Sequence, residues 1–382
     1  MKRFRGAFRE FFQRADLFLL TLSIICAVFG IIVISSATAS YSGTGKYIVV
    51  QLLSMFLGIG AFVVMTVLDV DILADKWLIL TIFNVVFIAG LIVFGHDDGT
   101  GNQAWYRFLG IGVQPTEIVK LTFSIVLAKQ VATLQRSPRG LNDPMSAIQI
   151  IGHFMLIFVV IVVSTRDLGS ALIFFFIFIV MLFAAGFALR WFAIGFAAIA
   201  AMIPLVWNFV LKDYQKQRIL APYDKTIDPM NTGINYQPHK CRVALASGRL
   251  TGTGLFHGTQ SQSNYFPGKH TDFIYGVIGE ELGMIACIIV ILLLTAIIVR
   301  CVVVGVQSGN TMSALVCFSV AAFMTFQTFV NIGMCIGLTP VIGITLPFFS
   351  YGGSSLLATF AAMGMVSGVH YRPKKRRSSI YY

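Results

Sequence analysis

Apolar residues along this chain neither alternate with polar ones nor keep to one helical face; they fill whole runs of about twenty residues. Ten such runs stand at approximately 17–36, 47–68, 77–94, 114–133, 149–165, 169–187, 191–211, 272–299, 312–335 and 343–368. A helix of that length crosses a hydrocarbon core of roughly 30 Å and satisfies its own backbone hydrogen bonds there. A membrane β-barrel would show a period of two, which these runs lack. The pattern predicts an all-α polytopic membrane protein with about ten transmembrane helices. The first run lacks a convincing small-residue cleavage site and is followed by further spans, so no cleavable signal is expected.

Polar sequence gathers in two places between the runs. The segments at about 95–113 (GHDDGTGNQAWYRFLGIGV) and 212–271 are too long to be turns. The second carries Tyr214, Ile219, Tyr223, Leu245, Leu255 and Phe266 among others, enough apolar residues to fold over the outer face. Within it, SGRLTGTGLFHGTQ (Ser247 to Gln260) has glycines that permit tight turns and close approach to a ligand. It lacks the lysine and helix context of a phosphate loop. The last run is interrupted, in GLTPVIGITLPFFSYGGSSLL, by Pro340, Gly343, Pro347, Gly352 and Gly353. Such breaks free backbone groups that Ser350, Ser354 and Ser355 can satisfy, and irregular backbone at membrane depth normally lines a cavity.

Composition agrees with a membrane protein: 57% hydrophobic, 12% charged, mean hydropathy +0.83, against about a quarter charged in a soluble domain. The net charge of +12 adds orientation, because much of it sits at the ends. Lys2, Arg3, Arg5, Arg9 and Arg14 precede the first span, and Arg372, Lys374, Lys375, Arg376 and Arg377 follow the last, so both termini are expected to be cytoplasmic. Ten spans then put Arg136, Arg139, Arg190 and Arg300 on the same inner side and the large extracytoplasmic loop between helices 7 and 8. Residues 1–16 read as a basic amphipathic segment on the inner surface, 17–368 as the transmembrane domain, and 369–382 as a cytoplasmic polybasic tail facing lipid rather than nucleic acid. The six cysteines lie mostly in spans without metal-ligand spacing, which suits small packing residues.

Ionisable residues in the spans carry the candidate chemistry, since charge at membrane depth is costly and pairs or lines a cavity. Glu117 and Lys120 stand three residues apart on one helix face, either as a self-compensating pair or bordering an outward-open cavity. Asp167, in TRDLGSAL, is placed to cap the sixth helix or to act in a site. In PGKHTDFIYGVIGEELG, Thr271 or Asp272 can cap the eighth helix. Glu280 is about 12 Å further along and roughly 80° round from Asp272, so the two can line one pocket while Glu281 points elsewhere. A partly desolvated carboxylate near Lys269, His270 and loop arginines has the setting of a general base, and a cap explains it as well.

Taken together these segments resemble the SEDS family of polytopic membrane proteins, the RodA/FtsW/SpoVE group. The likeness runs from the first span through SYGGSS and rests on QPTEIVK, DLGSAL, SGRLTGTGLFHGTQ, HTDFIYGVIGEELG, NIGM and TPVIGITLPFFSYGGSS. GTQ after the glycine run and NIGM look more like the RodA elongation branch than the FtsW division branch. The resemblance implies a peptidoglycan glycosyltransferase of the bacterial plasma membrane. It would link lipid II disaccharides into glycan strands on the outer face, for elongation and cell shape, and release undecaprenyl diphosphate. The implied partners are lipid II, the nascent strand, a class B penicillin-binding protein, other elongation-complex proteins and plasma membrane lipids. Asp272 matches the family's catalytic acid, Trp105 its loop tryptophan, and Glu117 and Lys120 its buried pair. The sequence departs from the family at Ala104, Arg166, Gly268, Lys240 and Cys241.

Such chemistry needs a base for a sugar hydroxyl and cations for a departing diphosphate. Asp272 is the expected base. Arg107, Lys120, Arg166, Arg242, Lys269 and His270 are candidates for the diphosphates, with a divalent cation such as Mg or Mn able to share the work and no organic cofactor required. Thr271, Asp167, Glu280, Ser350 and Ser354 are expected to bind substrate or shape the site. A lipid II flippase, another transporter, and a non-catalytic scaffold are the alternative functions that helices and broken corners permit.

Overall fold

The computed structural model describes residues 11–96, 103–108 and 111–372. Of the expected basic end segments, residues 1–10 and 373–382 lie outside the described residues, as do 97–102 and 109–110 of the first outer loop. The described chain is helical apart from one short hairpin. Its first half contains α1 (Leu17–Ala37), α2 (Thr44–Val67), α3 (Val70–Asp75), α4 (Trp77–Ala89), α5 (Leu91–Phe94), β1 (Tyr106–Phe108), β2 (Ile111–Val113), α6 (Pro115–Arg136), α7 (Pro144–Thr165) and α8 (Leu168–Ala184). The second half contains α9 (Leu189–Leu205), which ends in a π-helical turn over Val206–Val210, then α10 (Asp213–Leu220), α11 (Tyr236–Gly248), α12 (Ile274–Gln307), α13 (Thr311–Ile336) and α14 (Gly353–Tyr371).

Among the described residues seven helical spans are long and apolar enough to cross a membrane: α1, α2, α4 with α5, α7, α9 with its π turn, α12 and α13. Helices α6, α8 and α14 occupy the remaining expected positions. Helix α6 carries Glu117, Lys120 and Lys129, α8 has 17 residues, and α14 is rich in small residues and largely buried. Helix α14 packs most extensively on α2, while α12 lies against α13, α11 and α1. The second outer loop is ordered by α10 and α11, as its apolar content predicted.

Two expected boundaries move. The eighth long helix starts at Ile274 with Phe273 at its N-cap and no side-chain cap, so neither Thr271 nor Asp272 caps it. Instead Gly268, at φ 71°, turns the chain so that its carbonyl accepts the N–H groups of both Thr271 and Phe273. The last helix starts at Gly353 rather than near 343, because Pro340, Gly343 and Pro347 hold the preceding stretch out of helix.

The glycine-rich run makes the tight turns and close approach its glycines permit, here against another stretch of backbone. Helix α12 breaks at Gly283 (φ 79°, ψ 179°), and the run docks into the break. Thr253 N and Gly254 N donate to the carbonyls of Glu280 and Glu281, while Met284 N and Ile285 N donate to those of Arg249 and Leu250. Every backbone group freed there would otherwise be an unpaired polar group at membrane depth. A Cβ on Gly252 would collide with the Glu281 carbonyl, and one on Gly283 with that of Leu250. Glycine is required at 252 and 283 because two backbones meet there.

Candidate active site

Asp272 sits on the turn that Gly268 makes just before α12. The backbone of this turn is held from two other motifs. Tyr351 N donates to His270 O at 2.8 Å, Ser350 Oγ to Thr271 O at 2.6 Å, and Asn331 Nδ2 to Asp272 O at 2.8 Å. Asn331 Nδ2 also donates to Ile344 O at 2.7 Å, and Ser350 Oγ accepts from Leu346 N at 2.8 Å. Main-chain groups are thus consumed while the carboxylate is left half-buried. It faces Gly343, where a Cβ would lie 3.8 Å from Oδ2. Burial, then the charge of Asp167, raises the Asp272 pKa from 3.8 to about 6, against the opposing influence of Arg218. Asp167, Asp272 and Arg218 therefore share one electrostatic field.

Asp167 is the N-cap of α8, as its position suggested. Its Oδ1 accepts from Gly169 N at 2.9 Å and its Oδ2 from Ser170 Oγ at 2.6 Å. Burial raises its pKa, and these hydrogen bonds and Arg218 oppose the rise. Ser170 in turn lies 3.4 Å from Thr116 Oγ1, and Gln114 N donates to Ser354 Oγ at 3.3 Å. The QPTE, DLGSAL and SYGGSS motifs meet around the start of α8. One turn along α6, Glu117 and Lys120 form a buried 2.5 Å ion pair, with Lys120 Nζ also 4.5 Å from the Phe323 ring centroid. Lys120 is spent on that pair, which favours the self-compensating reading over the diphosphate one.

Three other predicted residues serve the fold around the site. Lys269 is fully buried and donates to Ser40 Oγ, Ser261 O and Ser263 O, so it pins the outer loop to α1's exit and is not available to a diphosphate. Burial lowers its pKa from 10.5 to about 8. His270 packs among the rings of Tyr41, Tyr47 and Tyr351. Burial and then Lys269 lower its pKa to about 4, so at neutral pH it carries no charge to offer an anion. Glu280 is fully buried and accepts from Gln260 N at 2.8 Å, Ser261 N at 2.7 Å and the hydroxyls of Ser247, Thr259 and Ser261. It latches the loop rather than facing Asp272. Glu281 does the same through Ser36 Oγ and Gln262 Nε2.

Arg242, on α11, lies against the backbone at Gly337, at the entry to the broken corner. Arg166 is exposed at the end of α7. Arg107 is exposed on β1, and Trp105 precedes that strand, its ring against Gly112. Arg218 was not singled out from the sequence. It sits in the polar stretch KDYQKQRIL, where nothing in the spacing distinguishes it from its neighbours. Asn331 was visible only as part of NIGM, without a role.

Comparison with known proteins places this arrangement. Residues 16–375 match the Cell cycle protein family of FtsW, RodA and SpoVE. The peptidoglycan glycosyltransferase MrdB of Escherichia coli K12 is 32% identical over 280 residues, covering 73% of this chain and 74% of that protein. A probable peptidoglycan glycosyltransferase FtsW of Wigglesworthia glossinidia brevipalpis is 32% identical over 368 residues, 93% of each chain. A chain from a solved structure on the coordination of polymerization and crosslinking by a peptidoglycan synthase complex superposes with TM-score 0.77 at 26% identity, covering 93% of this chain and 97% of that one. Thermus thermophilus rod shape determining protein RodA shares the fold, with TM-score 0.68 at 24% identity over 93% of this chain and 96% of that one. With the match running almost from end to end, the chain belongs to the FtsW/RodA/SpoVE family of multi-pass membrane proteins.

Proposed function

We propose that this protein is a peptidoglycan glycosyltransferase of the bacterial plasma membrane, acting on lipid II in cell elongation, with Asp272 as its general base. The observation that carries the assignment of Asp272 is that its carboxylate caps no helix while the backbone of its turn is tied to two other motifs, leaving the side chain for chemistry. With a pKa near 6 it is mostly ionised at neutral pH yet basic enough to accept a proton. It takes the proton of the acceptor sugar's 4-hydroxyl. The oxygen attacks C1 of the lipid-linked sugar from the face opposite the diphosphate, the C1–oxygen bond breaks, and its electron pair leaves with undecaprenyl diphosphate. The anomeric centre is inverted.

Arg218, Arg242, Arg166 and Arg107 are the basic residues proposed to meet the diphosphates, Lys120, Lys269 and His270 being engaged or uncharged. Among the described residues no three His, Cys, Asp or Glu side chains converge as metal ligands. A class B penicillin-binding protein is the proposed crosslinking partner, in keeping with the synthase complex that the fold resembles.

Purified protein given lipid II, with product length read on a gel, tests the assignment. Wild type is expected to make polymer alone or with its partner, and Asp272→Ala to make none while keeping its fold. Normal polymer from Asp272→Ala would remove the base assignment.

A further inference from the structure

At the end of the bundle away from Asp272, two cavities adjoin. The part of α12 beyond its break at Gly283 alone spans about 36 Å between that end and the Asp272 side. One cavity, of about 580 Å³, is an apolar fissure between α4, α6 and α7, bordered by Trp77, Val126, Gly152, His153 and Leu156. Trp77 and Leu156 are half exposed at its mouth, on the side a bilayer would cover. The other, of about 770 Å³, is a polar basin where α6 ends and α12 hands over to α13, bordered by Asp71, Arg136, Ser137, Asn310 and Arg372. Lys129 and Thr133 border both, so fissure and basin adjoin along these two side chains.

The charges of the basin sort themselves. Lys129 pairs with Asp75 at 2.7 Å and Arg372 with Asp69 at 3.1 Å. Arg136 and Asp71 are then a cation and an acid in one basin with no ion pair among the described residues, and they do not pair with each other. Both side chains are exposed, and a ligand that meets both at once carries an anionic and a cationic group. In the fissure, His153 Nδ1 lies 2.8 Å from Gln130 Oε1, and its Nε2 is buried without a partner. Gln130 Nε2 is already donated to Gln149 O, so the imidazole Nδ1 is the donor and Nε2 is left as a free acceptor.

We propose that the joined cleft binds a bilayer phospholipid whose headgroup carries a phosphate and a primary ammonium, of the phosphatidylethanolamine type. The phosphate meets Arg136, the ammonium meets Asp71, and an acyl chain fills the fissure past Trp77 and Gly152. An amphiphile is required because one half of the cleft is polar and the other apolar, and the opening faces lipid. The proposal is independent of the reaction at Asp272.

Native mass spectrometry of the detergent-purified full chain tests it, with thermal unfolding after addition of phosphatidylethanolamine, phosphatidylcholine, phosphatidylglycerol or soluble glycerophosphoethanolamine. Phosphatidylethanolamine is expected to be retained and to raise Tm, with the other three giving smaller shifts. Arg136→Gln and Gly152→Leu are expected to reduce retention tenfold or more. A Cβ at Gly152 meets no atom within 4 Å, so the leucine fills the fissure without a clash and the variant should fold. Equal retention by wild type and both variants overturns the proposal. So does an equal shift from the soluble headgroup, or preferential binding of phosphatidylglycerol.

Discussion

Asp272 admitted two readings from sequence, helix cap and base, and these differ in the sign of a stability change. Folding raises its pKa from 3.8 to about 6, mainly by burial. The folded state therefore holds the proton more tightly than the unfolded chain. That contribution to stability is present while the group is protonated and is lost as pH rises through about 6. At pH 7.5 the ionised carboxylate costs stability, so Asp272→Asn is expected to raise Tm while abolishing polymerisation. Loss of a helix cap would instead destabilise by about 1 kcal/mol. A lowered Tm for Asp272→Asn at pH 7.5 would return the residue to a structural role. The same pKa sets the acid limb of the rate. Polymerisation should rise with pH through an inflection near 6, because the base must be ionised. Removing the negative charge of Asp167 with Asn should move that inflection down, and Arg218→Gln should move it up. If neither variant shifts the profile, the three residues do not act on one another.

At the scale of elements, the break in α12 and the glycine-rich run are one structure divided between distant parts of the chain. Glu280 is its latch, and the donors it satisfies all belong to residues 247–261. Glu280→Ala leaves those donors unpaired in a buried site and is expected to cost about 3 kcal/mol or more. Thermal unfolding should show a lowered Tm, and limited proteolysis should open the loop near Gly252. A variant with wild-type Tm and protease resistance but no polymerisation would make Glu280 a substrate contact instead. The sequence made the pieces of this arrangement legible without their pairing. Helix positions followed from hydrophobic run length, because the bilayer demands whole apolar helices. The capping role of Asp167 and the Glu117–Lys120 pair followed from local spacing of one to four residues. What spacing does not encode is which loop fills a helix break. Lys269 and Glu280 looked like site residues because their partners, Ser261 and Gln260, are chosen by the tertiary fold.

The whole molecule is asymmetric in how tightly its helices are held. Helix α9 has no buried residue, whereas α13 and α14 are buried along most of their length. Its anchorage is at its N-terminal end, where Phe192 and Trp191 meet Phe183 and Phe187 and where Arg190 and Trp191 bond to Asn142 O. Its other end loosens into a π turn after Pro204 and leads to α10, which carries Arg218 toward Asp272. A helix fixed at one end and unpacked at the other would give a lateral way from the bilayer to the site. With Asp272 as the proposed base, a substrate with a long lipid tail needs such a way, so that its sugars reach the site while the tail stays in hydrocarbon. If acyl chains surround α9, they should touch opposite faces of it equally. Gly195 and Ala197 are about 200° apart round the helix, and a side chain at Gly195 meets no atom within 4 Å. In a background with Trp77, Trp105, Trp191 and Trp207 replaced by Phe, a tryptophan at either position should be quenched to a similar extent by brominated acyl chains. Quenching at one position with protection at the other would mean that α9 packs on the bundle and that the tail enters elsewhere.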